Sequence, residues 1–310
     1  MPALTNQDRA QKRTVLLTGA TGFLGSHLFK ALFSAGYKVV ILKRSTSDTW
    51  RIAHLLNEVT SYDIDSVPLT QAFEDQRIDY VIHTACHYGR NGDSIHQIVE
   101  TNLMLGLKLL DAATFFNTDT FFNTDTFFNA GTLLQKHLRV YTLSKKQFVE
   151  WLHQRCDKIQ IINMKLEHLY GPLDDTTKFV PWVLLQLEQK VKSINLTGGE
   201  QLRDFIYVDD VVSAYLATLQ KAAQLPAFNE FDIGTGILTS IRKLVEMLQE
   251  IYEQKDSASK TQLNFGALPY GDDEIMRVDV DNTALLKLGW QPVFDLNAGL
   301  KKIINLNFEK

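Results

Sequence analysis

Tyr141 and Lys145 stand four apart in the run Tyr141-Thr142-Leu143-Ser144-Lys145. On a helix that spacing puts both side chains on one face. An ammonium beside a phenol favours the phenolate and lowers the phenol's pKa from its usual value of about 10. A tyrosine so placed can pass a proton to or from a carbinol oxygen near neutral pH. Chance supplies many such pairs, and this one gains weight from a candidate hydride-carrier site upstream, Thr18-Gly19-Ala20-Thr21-Gly22-Phe23-Leu24-Gly25. Gly19 permits a tight turn, Gly22 lets a pyrophosphate approach the backbone, and Gly25 lets a helix pack close to a strand. Thr21, Phe23 and Leu24 belong to the same turn, where a helix N-terminus offers free N–H groups and a positive dipole end to phosphates. The spacing is GxxGxxG rather than GxGxxG. After the next strand comes Leu42-Lys43-Arg44-Ser45. A carboxylate there would bind the 2′-hydroxyl of NAD and repel a 2′-phosphate, whereas Lys43, Arg44 and a hydroxyl suit a phosphate. The expected cofactor is therefore NADP, with NADPH preferred over NADH. Asp63 and Ile64 are placed to meet an adenine edge.

These residues need strands and helices in alternation to hold them. Thr14 to Thr18 is a short apolar β run, and Leu24, Leu28, Ala31, Leu32 and Ala35 then recur at helical spacing until Gly36. Lys38 to Leu42, Asp79 to His83 and Ile159 to Met164 read as further strands, and Val99 to Ala113 as a helix with Leu103, Leu107 and Leu110 on one face. Strands apolar on both faces and separated by helices predict a doubly wound parallel α/β sheet. The second half is less regular. Phe179 to Lys192 and Thr239 to Gln254 look like amphipathic helices, Lys255 to Thr261 like a polar loop, and Asp279 to Leu288 like a short helix ended by Gly289. This pattern predicts a dinucleotide-binding domain over 1–171, to which 205–250 returns, and a smaller substrate-binding lobe formed by 172–204 and 251–310.

The chain has 310 residues, 45% hydrophobic and 22% charged, with 36 acidic and 32 basic residues and a net charge of -4. That is ordinary for a globular protein with a full core, and it leaves no basic excess for general nucleic-acid binding. Cys86 and Cys156 are too few for a disulfide framework and suit a reducing compartment. No apolar run nears the roughly 20 residues of a membrane span, and Met1 to Arg13 is polar without an apolar signal core. A cytoplasmic protein that contacts no membrane is expected. His83 and His87 are four apart, but His83 ends a strand and no carboxylate or thiol stands at ligand spacing, so no metal is expected. No GxSxG elbow supports a serine hydrolase. Phe115-Phe116-Asn117-Thr118-Asp119-Thr120 repeats as Phe121 to Thr126, with a third partial copy in Phe127-Phe128-Asn129. A six-residue period is too short for a solenoid.

In order along nearly the whole chain, these motifs resemble the extended short-chain dehydrogenase/reductase family in its nucleotide-sugar branch. The likeness rests on the glycine run, His83-Thr84-Ala85 at a strand end, Asn102 on the next helix, the Tyr–Lys pair, Tyr170-Gly171-Pro172, Arg203-Asp204-Phe205-Ile206-Tyr207-Val208-Asp209-Asp210 and Leu288-Gly289-Trp290-Gln291-Pro292. Asn123 to Phe128, Asn163 to Pro172, Gly199 to Phe205 and Asp273-Glu274-Ile275-Met276 narrow it further. They are similar to members that use NADPH to reduce the C4 ketone of CDP-4-dehydro-3,6-dideoxyglucose, an abequose- or paratose-type step toward lipopolysaccharide O-antigen sugars.

The resemblance implies a Rossmann-type fold, cofactor contacts from Thr84 and Ala85, a nucleotide-diphosphate sugar as substrate, and a homodimer paired through the helices that carry the Tyr–Lys motif. In it Tyr141 donates the proton, and Lys145 tunes Tyr141 and binds the nicotinamide ribose. The family's Ser or Thr after the fifth strand holds the substrate oxygen. Thr118 and Thr124 compete for that place. Only 12 steps separate Gly106 from Thr118 but 18 separate it from Thr124, which stands 17 before Tyr141, so Thr124 is expected. Family dehydratases carry Asp-Glu after that residue. Here Asp125-Thr126 follows, which disfavours dehydration. Arg203, Arg277 and His168 are the implied substrate ligands, His168 standing where the wider family usually has asparagine and Glu167 orienting it. Two other readings are an NAD-dependent epimerase of the same fold and an NADP(H)-binding sensor without turnover.

Overall fold

The computed structural model describes residues 13–90, 92–119, 124–256 and 260–308. The start of the polar N-terminal segment, the middle of the repeat at 120–123 and part of the 255–261 loop lie outside the described residues. The chain divides into two compact units, one of 1–165 and 215–231, the other of 166–214 and 232–310.

The first unit is built on a seven-stranded sheet. Its strands are β1 (Thr14–Thr18), β2 (Lys38–Lys43), β3 (Thr60–Asp63), β4 (Tyr80–His83), β5 (Thr126–Thr132), β6 (Gln160–Leu166) and β10 (Phe228–Ile233). They lie in the order β10-β6-β5-β4-β1-β2-β3, and β1 pairs in parallel with both β2 and β4. The chain thus runs outward from β1 to β3 and returns to β4 on the other side of β1, the topological switch at which open α/β sheets bind ligands. Val15, Leu16 and Leu17 are wholly buried, as are Val40, Ile41, Val81 and Ile82, because helices cover both sheet faces. Each such side chain contributes roughly 2 kcal/mol of transfer free energy.

Helix α1 (Phe23–Ser34) buries Leu28, Phe29 and Leu32 and ends at Gly36, whose φ of 85° needs glycine. The single helix expected over 99–113 is three segments. These are α2 (Ile95–Val99), capped by Ser94, a π-helical turn (Glu100–Met104), and α3 (Leu105–Asp119). Helix α4 (Val140–Gln154) buries Phe148 and Leu152 against α3 and the sheet.

The second unit contains a three-stranded sheet of β7 (His168–Tyr170), β9 (Leu202–Tyr207) and β11 (Leu238–Ser240), in the order β11-β9-β7. A parallel pair of β8 (Ser193–Leu196) and β12 (Gln262–Phe265) accompanies it. Its core gathers Val183, Leu184 and Leu187 from α5 (Phe179–Glu188), Leu244, Val245 and Leu248 from α7 (Ile241–Lys255), and Leu300 and Ile304 from α8 (Leu296–Phe308). The helix α6 (Val208–Lys221) follows β9 directly. Ser240 caps α7 by accepting from the Lys243 N–H at 3.1 Å. The expected helix over 279–288 shortens to Thr283–Lys287. Among the described residues, no helix is long and apolar enough to cross a membrane.

Candidate active site

The glycine run forms a turn between β1 and α1. Gly19 has φ 72°, and its carbonyl accepts from the Gly22 N–H at 2.9 Å. A Cβ on Gly25 would run into that carbonyl. One on Gly19 would stand 2.7 Å from the Ala85 nitrogen. Thr84 donates through Oγ1 to the Thr18 carbonyl at 2.8 Å, so Thr84 and Ala85 are brought to the glycine turn from the end of β4. Gly22 is the exposed N-cap of α1, and no side chain caps that helix. Thr21 is partly exposed, Phe23 is buried, and Leu24 is partly buried on the first helical turn. An uncapped helix N-terminus under a glycine turn is the backbone cradle that a dinucleotide pyrophosphate requires.

Helix α4 carries Tyr141 and Lys145 at the i, i+4 spacing that puts them on one face. Lys145 is 1% exposed, and its Nζ has no hydrogen-bond partner. Burial lowers its pKa below the ordinary lysine value, and the nearby Cys86 sulfur works against that. A buried ammonium without a hydrogen-bonded partner suits a site completed by ribose hydroxyls and a phenolate. Behind it His83 is fully buried at the end of β4, its Nδ1 2.8 Å from Thr18 Oγ1. Burial first, and the Lys145 charge second, push its pKa down to about 3.

Asn102 lies buried in the π-helical turn, a distortion frequent at functional sites. Its Oδ1 accepts from the His87 N–H at 2.7 Å, while its Nδ2 donates to the His87 carbonyl at 2.8 Å and to Ser144 Oγ at 3.1 Å. Ser144 Oγ donates in turn to the Tyr141 carbonyl at 2.8 Å. One side chain thus ties the loop after β4 to the turn of α4 that bears Tyr141 and Lys145. The sequence motif contained Asn102 but gave it no role.

The expected threonine is not brought to this edge. Thr124 lies two residues before β5, where the Asp125 N–H donates to the Asp79 carbonyl at 2.8 Å. β5 runs parallel to β4 from Thr126 opposite Tyr80 to Asn129 opposite His83. Thr124 is therefore at the amino end of the sheet, about 26 Å along the strand direction from the carboxyl end of β5 at Thr132. Thr118 lies within α3. This difference in position has a physical origin in the repeat, which offers three equivalent Phe-Phe-Asn registers. Pairing with β4 selects the third, and the first remains helical. The hydroxyl delivered to the carboxyl end of β5 is that of Thr132, which is 5% exposed and accepts from the Leu134 N–H at 3.2 Å. The sequence signal for it was the third Phe-Phe-Asn copy followed by Ala130-Gly131-Thr132.

At the end of β2 the cations are unequal. Lys43 is paired with Asp63, so neither projects alone as expected. Ile64 is held by its N–H donating to the Lys43 carbonyl at 2.9 Å. Ser45 is taken by Asp65 through its N–H at 2.8 Å and its hydroxyl at 2.6 Å. Arg44 is exposed, and its guanidinium has no carboxylate partner among the described residues. Arg51, which the sequence reading passed over, stacks on Trp50 at 4.4 Å and donates to the Thr21 carbonyl of the glycine turn at 3.3 Å.

The three implied substrate ligands all fall in the second unit, and each is already engaged. Arg203 is nearly buried. Its fork donates to the Leu202 carbonyl at 2.9 Å and to Glu274 at 3.2 Å, and it also reaches the Ile275 carbonyl. Arg277 forms a bidentate pair with Asp279 at 2.7–3.0 Å and is exposed. The bridge between Leu202 and Arg277 brings the two arginines to one edge of β9. His168 pairs through Nδ1 with Glu167, and its ring lies edge-on to Phe205 at 5.7 Å.

Residues 15–234 match the NAD dependent epimerase/dehydratase family. The chain is 35% identical over 295 residues to a CDP-abequose synthase of Salmonella typhimurium, covering 94% of this chain and 98% of the relative. It is 32% identical to a CDP-abequose synthase of Salmonella muenchen over 95% of this chain and 98% of the relative. A crystal structure of UDP-glucuronic acid 4-epimerase from Bacillus cereus, in complex with UDP-glucuronic acid and NAD, shares the fold with a TM-score of 0.80 at 24% identity, over 96% of this chain and 99% of that one.

Proposed function

The chain belongs to the NAD dependent epimerase/dehydratase family, and from that premise we propose that it is an NADPH-dependent reductase of the C4 ketone of a nucleotide-linked 4-dehydro-deoxyhexose. The observation that carries this reading is the buried Lys145 Nζ, without a hydrogen-bond partner, one helical turn from Tyr141 and near His83 and Cys86 at the end of β4. The bound nicotinamide would supply the hydride. Tyr141 gives its phenolic proton to the C4 oxygen, and the Lys145 ammonium stabilises the phenolate left behind. Thr132 donates a hydrogen bond to that oxygen and fixes the carbonyl. After Thr132 come Leu133 and Leu134. The acid–base pair that water elimination needs is absent there, which supports reduction over dehydration.

Arg44 and Arg51 are the cations that favour a 2′-phosphate, with Lys43 and Ser45 engaged by Asp63 and Asp65. Arg203 and Arg277 are proposed to take the diphosphate of the sugar nucleotide by exchanging Glu274 and Asp279 for phosphate oxygens, with His168 as a further donor. The likeness to two CDP-abequose synthases supports a CDP-linked 3,6-dideoxy sugar and a role in O-antigen synthesis. A homodimer through α3 and α4 is proposed from the apolar side chains those elements expose, Phe115 at 67% and Trp151 at 52%.

Purified protein given NADPH and a panel of 4-dehydro nucleotide sugars should consume NADPH and yield one C4 configuration by NMR. A second reading, an epimerase that keeps NAD, is favoured by the two carboxylates Asp63 and Asp65 next to the end of β2. Protein that carries tightly bound NAD from purification and oxidises no NADPH with any ketone would establish it instead.

A further inference from the structure

The loop after β4 holds an aromatic ring against the proton donor. Tyr88 is 45% exposed, and its ring centroid stands 5.2 Å from that of Tyr141 at an interplanar angle of 31°. The Arg90 guanidinium lies 5.1 Å from the same ring. Loops present large half-open aromatics at a cost, since apolar surface is left in water. This loop is nevertheless built to do so. The His87 peptide unit is gripped on both sides by Asn102. The Gly89 N–H donates to His87 Nδ1 at 3.2 Å, and that imidazole lies 3.8 Å from Asp93. Gly89 itself has φ 68°, and a Cβ there would stand 2.5 Å from Ile98 Cδ1. Glycine suits that positive φ, and the Asn102 grip on the His87 peptide fixes the backbone that leads into Tyr88.

We propose that Tyr88 is the sugar platform of the site and sets its preference for deoxygenated pyranose rings. This rests on the reductase reading above. A pyranose whose C4 oxygen reaches the Tyr141 hydroxyl lies within one ring's width of Tyr88. The open part of the Tyr88 ring offers that sugar an apolar surface whose carbons neither donate nor accept a conventional hydrogen bond. A hydroxyl laid on those ring carbons gives up water for a surface that returns no hydrogen bond, whereas a CH2 or CH3 in the same place gains by burial. Rings that have lost hydroxyls therefore gain the most from the platform. Arg90 holds the Tyr88 ring by its cation–π contact.

The test separates platform from reaction by measuring binding as well as turnover. Wild type, Tyr88→Ala and Tyr88→Phe are titrated calorimetrically with CDP and CDP-glucose, and with the UDP pair. KM and kcat are measured for CDP-4-dehydro-3,6-dideoxyglucose and dTDP-4-dehydro-6-deoxyglucose, with NADPH binding followed by fluorescence as the check on folding. Tyr88→Ala should raise KM for the dideoxy substrate by about tenfold, shrink the preference for it over the monodeoxy one, and reduce the affinity gain of CDP-glucose over CDP. The affinities for CDP and NADPH should stay within about twofold. Tyr88→Phe, which keeps the ring, should behave as wild type. The platform is wrong if Tyr88→Ala leaves the CDP-glucose gain and the substrate preference unchanged, or if it weakens CDP as much as CDP-glucose. A wild type that turns over neither ketone, yet whose CDP-glucose gain is lost in Tyr88→Ala, would sink the reductase reading and keep the platform.

Discussion

The proposed proton donor, its lysine and the threonine proposed to fix the carbonyl each depend on a few atoms, and two predictions belong to this scale. The first concerns which hydroxyl acts. Thr132→Val removes the donor at the carboxyl end of β5 and should lower kcat by about 100-fold. Thr124→Val, at the amino end, should change kcat by less than about twofold. Steady-state kinetics of the two variants decide the register, and the opposite ranking would restore Thr124. The second concerns His83, which is held neutral when folded down to about pH 3, whereas an unfolded histidine protonates near pH 6.5. Between those values the unfolded chain binds the extra proton, so the His83 contribution to stability falls as pH drops through that window, by up to roughly 4 kcal/mol. His83→Gln has no such proton to take up. Its urea midpoint should fall less than that of wild type between about pH 7 and pH 4.5. Equal falls in both proteins would mean that His83 does not titrate on unfolding.

At the scale of elements, the turn between β1 and α1 is the tightest join near the site, because Gly25 meets the Gly19 carbonyl without room for a methyl group. Gly25→Ala must push α1 off β1 or distort the cradle. We expect it to destabilise the protein by about 2 kcal/mol and to weaken NADPH binding at least tenfold, read by thermal melts and fluorescence titration. Gly271→Ala, where an added Cβ meets nothing within 4 Å, is the control and should do neither. The π-helical turn at Glu100–Met104 is a second local device. It lets one buried amide reach both the His87 peptide and Ser144, which a regular helix over 99–113 does not foretell. Periodicity reads Leu103, Leu107 and Leu110 as one face and is blind to the inserted residue, since a π turn is set by what the side chain must bond across space.

For the whole molecule the open question is assembly. If copies pair through α3 and α4, Trp151→Arg should shift the protein from dimer to monomer in sedimentation velocity, because a charge replaces an aromatic at the centre of an apolar contact. Wild type that sediments as a monomer would remove the dimer. Much of this protein was legible along the chain. Alternating apolar strands and amphipathic helices dictate a parallel doubly wound sheet, the glycine spacing dictates a cradle, and a four-residue interval on a helix places Tyr141 beside Lys145. These are local matters, fixed by the chain's own geometry and by which side chains shun water. The repeat at 115–129 was illegible for the same reason, since three like segments have like propensities. Only pairing with Tyr80–His83 decides which one becomes β5 and hence that Thr132, not Thr124, stands at the strand's carboxyl end. Likewise Lys43 and Arg203 read as available cations in sequence, but tertiary folding sets Asp63 and Glu274 beside them. Charge partners brought together from distant parts of the chain follow from how the elements pack, and no local pattern encodes them.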